Sequence, residues 1–144
     1  MGLEGAGCGG KPDSVVATFV APEHPIRLVL YKSGIYELHR AEDGVPERPY
    51  KPSTEYYFRS GRIQAHTRRP PLEAGTYLKT STNLALDVDH QYLPSPNRDQ
   101  KMVYLIVSHD GVEYLSDERS WWARKYEETK DTNALRYALR QEKR

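Results

Sequence analysis

The chain has 144 residues and a formal net charge of +1, which excludes a strong global field directed at nucleic acid or an anionic membrane. Hydrophobic residues make up 38% and mean hydropathy is −0.79, so any core is small, and no apolar run approaches the roughly 20 residues that span a bilayer. Eleven tyrosines against two Phe and two Trp supply aromatic bulk with a polar tip, and the single cysteine excludes an internal disulfide.

Residues 1–14, MGLEGAGCGGKPDS, are glycine-rich and predict a flexible lead-in to one β-rich domain over residues 15–144. Ser14–Val20 predicts the first strand, and Pro22 and Pro25 bracket a turn. Ile26–Tyr31 and Ile35–His39 predict a hairpin reversed at Ser33-Gly34. Pro46, Pro49 and Pro52 make residues 41–53 a stiff loop. Thr54–Arg59 and Arg62–Thr67 predict a second hairpin, turned at Ser60-Gly61. Gly75–Lys79 and Leu84–Val88 follow as short strands, and Pro94 and Pro96 mark a loop.

The most apolar run, Lys101–Leu115, predicts a central hairpin turned at Asp110-Gly111. Alternation there selects Val103, Leu105 and Val107 as core, with Leu28 or Val29 nearby. From about residue 117 the period becomes helical. Trp122, Lys125, Tyr126 and Thr129 share a face, with Ser116 or Asp117 as the cap. Asp131 or Thr132 caps a second helical piece, striped by Ala134, Leu135, Ala138 and Leu139. The expected fold is mainly β: an antiparallel meander closed into a small barrel or sandwich, with a short C-terminal helical segment.

Three segments carry a resemblance: YKSGIYEL from Tyr31, GTYLKTSTNLALDV from Gly75, and MVYLIVSHDGVEYLSDE from Met102. Together they resemble small bacterial cell-envelope lipoproteins with lipocalin-like meanders, over roughly Ile26 to Tyr126. Gly5-Ala6-Gly7-Cys8-Gly9-Gly10 is similar to a lipoprotein cleavage and lipidation site, although no basic or apolar leader segment precedes it. The resemblance implies an envelope or periplasmic location, with Cys8 as the lipidated residue and the sole link to a membrane. Trp121-Trp122 has no place in that pattern.

The five histidines show no metal-ligand spacing, so no metal or cofactor is expected. His39 and His66 lie on strands; Asp87, Asp89 and His90 cluster at a strand end, where carboxylates commonly form turns. No nucleophile elbow, phosphate loop or dinucleotide fingerprint is present, so catalytic residues are expected to be absent. Two aromatic groups remain as binding candidates. Tyr56, Tyr57, Phe58, Arg59 and Arg62, continuing to His66, Arg68 and Arg69, interleave rings with cations as nucleic-acid-binding barrels do. Trp121 and Trp122 point about 100° apart on a helix, leaving one as a surface anchor. The expected function is non-enzymatic binding or structural support through an aromatic-rich surface, with another protein or a small ligand as partner. A nucleic-acid-binding barrel and a protein-docking inhibitor or accessory subunit are the alternatives.

Overall fold

The computed structural model describes residues 13–51, 56–59, 62–65, 69–95 and 98–142. Eight antiparallel strands close into a barrel: β1 (Val15–Val20), β2 (Ile26–Tyr31), β3 (Ile35–Arg40), β6 (Glu73–Lys79), β7 (Asn83–Gln91), β8 (Lys101–His109), β9 (Val112–Asp117) and β10 (Leu139–Gln141). Around the barrel the order is β1, β10, β9, β8, β7, β6, β3, β2. Between β3 and β6 the chain adds a separate two-stranded sheet, β4 (Tyr56–Arg59) paired with β5 (Arg62–Ala65). The structure thus decides for a barrel over a sandwich. Cys8 and most of the lead-in lie outside the described residues. Asp13 is attached to the β2–β3 turn, accepting hydrogen bonds from the Ser33 backbone N–H and hydroxyl.

Alternation around the barrel builds one interior. Ala17 and Phe19 on β1, Leu28 and Leu30 on β2, Tyr36 on β3, Leu84 and Leu86 on β7, Leu115 on β9 and Leu139 on β10 form a single buried cluster. The turns follow local chemistry. Asp110 (φ 52°) and Gly111 (φ 77°) both take the left-handed conformation that a two-residue hairpin requires. Gly75 is required by packing: a Cβ there would meet the Asp87 carbonyl oxygen at 2.0 Å and the Tyr36 ring at 2.9 Å. The β6–β7 register shifts beside it, between Ala74 and Gly75.

Three expectations are corrected. Val103, Leu105 and Val107 are half-buried on the outer face of β8, not in the core. Leu84 pairs with Tyr104 and Leu86 with Met102, so the even-numbered residues turn inward, and Tyr104 and Ile106 pack on the central cluster. Alternation could not choose between two apolar faces; both are partly covered, the outer one by Tyr126 and Leu135 against Val107. The second helical piece is also replaced. Thr132–Leu135 is a 3-10 turn, capped by the Asp131 side chain, and Leu139 lies in the strand that closes the barrel. The helix α1 (Trp121–Thr129) starts later than expected. Ser120 is its cap, accepting from the Trp122 N–H at 3.1 Å, while Ser116 and Asp117 remain in β9.

Candidate functional site

The strand register places the ends of β1, β3, β7 and β9 and the starts of β2, β6, β8 and β10 at one end of the barrel. A cavity of about 270 Å³ opens there. Its walls are Leu28, Leu38, Leu86, Leu115 and Leu139, and its rim includes His24 and Tyr137. Glu73 and Arg98 supply its buried charge, and Asp117 a half-buried one.

Glu73 opens β6 opposite Leu38, which turns it inward. The Tyr36 hydroxyl donates to its Oε2 at 2.8 Å, and Arg98 Nε donates to Oε1 at 2.8 Å. Arg98 Nη2 completes the two-pronged ion pair on Oε2, with both side chains largely removed from water. Burial pushes the Glu73 carboxyl up. Hydrogen bonds from Arg98, Tyr36 and Gln91, together with the Arg98 charge, outweigh burial and hold it below the usual carboxylate range. Burial and the Glu73 carboxylate push the Tyr36 hydroxyl far above its ordinary value. The hydrogen bonds that Arg98 donates to Glu73, with the Glu73 charge, outweigh burial and raise the Arg98 pKa, so the guanidinium stays charged.

Two donors on residues that line this cavity lack good acceptors among the described residues. Arg98 Nη1 is buried out of reach of water, with no hydrogen-bond partner among the described residues. The Tyr104 hydroxyl reaches only the Met102 sulfur, at 4.0 Å, a weak acceptor. Burial raises the Tyr104 pKa, so the hydroxyl keeps its proton.

A second buried polar cluster sits on the outer wall. Glu37 Oε1 lies 3.0 Å from the Tyr31 hydroxyl and 2.8 Å from His39 Nε2, and Oε2 accepts from the Tyr50 N–H at 2.6 Å. The Tyr31 hydroxyl is also 3.0 Å from the Arg48 carbonyl. These bonds pin the proline-bearing loop to β2 and β3. Both carboxylate oxygens are occupied by that task, which makes the cluster structural.

The expected site residues fall in separate places. Tyr56, Tyr57, Phe58 and Arg59 on β4 pair with Ala65, Gln64, Ile63 and Arg62 on β5, outside the barrel's strand order. His66 and Arg68 lie outside the described residues. Arg69 is engaged by Asp43 and, at 3.3 Å, by Glu42. Trp122 packs on the cluster of Tyr126, Ala134 and Leu135, whereas Trp121 is 57% exposed. Trp121, Trp122 and Tyr137 contact one another in series, edge-to-face at 4.8 Å and tilted at 5.2 Å between centroids, and Tyr137 belongs to the cavity rim. The structure does not bring Asp87 together with Asp89 and His90. Asp87 lies in a groove with Thr76 and Lys101; Asp89 and His90 lie in another with Arg98 and Asp99. Among the described residues no cluster of His, Cys, Asp and Glu is arranged to hold a metal ion.

Sequence reasoning missed Tyr36, Glu73 and Arg98. Glu73 follows Pro70-Pro71-Leu72, and Arg98 sits in a polar loop; neither position carries a local signal of burial. Comparison with family models, curated proteins and solved structures gives no match, and the geometry stands alone.

Proposed function

We propose that this protein is a non-enzymatic binding barrel that takes a small molecule into the Arg98 end of its interior. The observation that carries this reading is the cavity itself: leucine walls, one buried ion pair, and an opening at an aromatic rim. Its volume of about 270 Å³ is close to the lower bound for ligand pockets, which suits a compact ligand. Binding is favoured over turnover because Glu73, the buried carboxylate of the site, is held by Arg98 and Tyr36 rather than poised to take a proton. Tyr137, more than half accessible, adds contact area at the opening, and exposed Trp121 continues the aromatic surface from it through Trp122, in keeping with action through an aromatic surface. The nucleic-acid alternative is weaker, since Arg69 is already engaged by Asp43 and Glu42. An envelope location belongs to this proposal through the lipoprotein-like residues around Cys8 alone. Mass spectrometry of the protein from a bacterial membrane fraction tests it, and an unmodified thiol there would refute lipidation.

Toluene is a suitable first probe, because a cavity of roughly 150 Å³ already accommodates benzene. Titration followed by NMR is expected to shift signals from Leu28, Leu86 and Leu115. Leu38→Trp, which fills the cavity from its wall, is expected to abolish those shifts. Persistence of the same shifts in folded Leu38→Trp would show that the probe binds elsewhere.

A further inference from the structure

The charges that a ligand can reach decide its chemistry, on the footing that the barrel binds a small molecule at its Arg98 end. We infer that the cavity takes a small amphipathic amine, with its ammonium group on Asp117 at the mouth and its apolar body against the leucine walls. Three observations lead there.

The first is which charges are closed. Arg98 spends Nε and Nη2 on Glu73, and its Nη1 is buried out of reach of water. The guanidinium therefore offers a ligand no hydrogen bond. Glu73 is closed as well, since Oε1 accepts from Arg98 and Oε2 from Arg98 and Tyr36. The pair is a mutually neutralised patch of the wall.

The second is which charge is open. Asp117 ends β9 opposite Tyr104, two residues after inward-facing Leu115, and lines the cavity with its side chain 33% exposed. Its Oδ1 accepts from the Arg119 backbone N–H at 2.9 Å and lies 3.5 Å from Arg119 Nε. Its Oδ2 has no hydrogen-bond partner among the described residues and, unlike Arg98 Nη1, is open to solvent. Arg119 is 63% exposed and donates at 2.7 Å to Asp99, so it offsets Asp117 only in part.

The third is the balance. Two carboxylates, Glu73 and Asp117, line the cavity against the single guanidinium of Arg98. An anionic ligand would meet Asp117 with no accessible guanidinium or ammonium among the described lining residues to offset it. A neutral ligand would displace water from Oδ2 and leave its charge less solvated. An ammonium donates to Oδ2 and supplies the opposite charge. Leu28, Leu38, Leu86, Leu115 and Leu139 present no hydrogen-bonding side-chain atom, so the rest of the ligand is apolar.

Three probes of one shape separate the ideas: cyclohexylamine, cyclohexanol and cyclohexanecarboxylate, each titrated into the full chain at pH 7. Binding is read by NMR from Leu28, Leu86 and Leu115, so that only occupation of the cavity counts. Cyclohexylamine is expected to bind about tenfold more tightly than cyclohexanol, the gain of a charge-assisted over a neutral hydrogen bond. Cyclohexanecarboxylate is expected to bind more weakly than either. Asp117→Asn keeps an oxygen for the Arg119 N–H and is expected to bring the amine down to the level of the alcohol, leaving the alcohol unchanged. Arg119→Ala, at an exposed position, removes the competing guanidinium and is expected to strengthen the amine about threefold without moving the alcohol; it decides the matter should Asp117→Asn not fold. Equal affinities for amine and alcohol, preference for the carboxylate, or an unaltered amine affinity in the folded variants would overturn the amine assignment while sparing the binding barrel. Failure of all three probes to shift those signals would overturn the binding barrel itself.

Discussion

At the scale of single residues, burial and pairing separate side chains that look alike in the sequence. Leu115 is 1% exposed inside the barrel, whereas Leu105 is half-buried on its outer face. Leu115→Ala is therefore expected to cost about 2–5 kcal/mol and Leu105→Ala about 1 kcal/mol in urea titrations. Equal losses would mean that the β8 register is wrong. Glu73 yields a pH prediction. Its folded pKa lies below the ordinary 4.5, so the unfolded chain takes up the proton first as pH falls. The stabilisation is fully present above pH 4.5 and is lost as pH drops through the folded value. Glu73→Gln, which leaves Arg98 buried and unpaired, is expected to cost about 3 kcal/mol at pH 7. The gap between wild type and variant is expected to narrow at pH values below the folded pKa; a gap independent of pH would remove Glu73 from the acid response. Neither contrast is legible in the sequence. Alternation says that a residue has two faces to choose from, and for KMVYLIVSH both are apolar.

At the scale of elements, local chemistry and long-range pairing differ in how visible they are. The hairpins β2–β3 and β8–β9 are readable because their turns are local: Gly34 (φ 94°) and Asp110-Gly111 adopt conformations that few other residues accept. Strand β10 is not readable. It spans only Leu139–Gln141, follows a 3-10 turn, and exists because Phe19 and Leu115 lie ready to pair with it. Such a strand is set by tertiary context, and the stripe of Ala134, Leu135, Ala138 and Leu139 reads equally well as a helix. Trp121-Trp122 is legible as a divided pair but not as part of a three-ring series, since Tyr137 arrives from beyond the 3-10 turn. Gly75 permits a test of element packing. Gly→Ala within a strand ordinarily helps by about 0.5–1 kcal/mol. Here the added methyl would stand 2.0 Å from the Asp87 carbonyl oxygen, so Gly75→Ala is expected to destabilise by at least about 2 kcal/mol. A neutral or stabilising result in thermal melts would show that β6 and β7 have room to separate.

At the scale of the molecule, closure joins the two ends of the chain, and closure makes the interior a site. Pairings of Phe19 with Gln141 and Val20 with Arg140 seal β1 to β10. The seal is extended by the bond from the Glu142 N–H to the Thr18 carbonyl at 2.9 Å. Arg27 then grips Glu142 with two bonds, of 2.7 and 3.1 Å, and donates a third to the Ala41 carbonyl at 2.8 Å. The hydrogen bond to Glu142 and its charge outweigh burial and raise the Arg27 pKa, so this clamp keeps its cation across the accessible range. Because the pairing spans nearly the whole sequence, its loop-closure entropy is met late, and folding is expected to be slow for a chain of this size. Deleting residues 139–144 would expose unpaired backbone along β1 and β9 and remove Leu139 from the cavity wall. The truncated chain is expected to lose cooperative unfolding and to associate in a concentration-dependent way, read by thermal melts and sedimentation. Arg27→Ala is the milder version. It keeps β10 but removes the two bonds from Arg27 to Glu142, so it is expected to lower the thermal midpoint while leaving a monomer that still takes up toluene. A truncated chain that melted cooperatively as a monomer at the wild-type temperature would show that β10 is dispensable and the barrel stable while open.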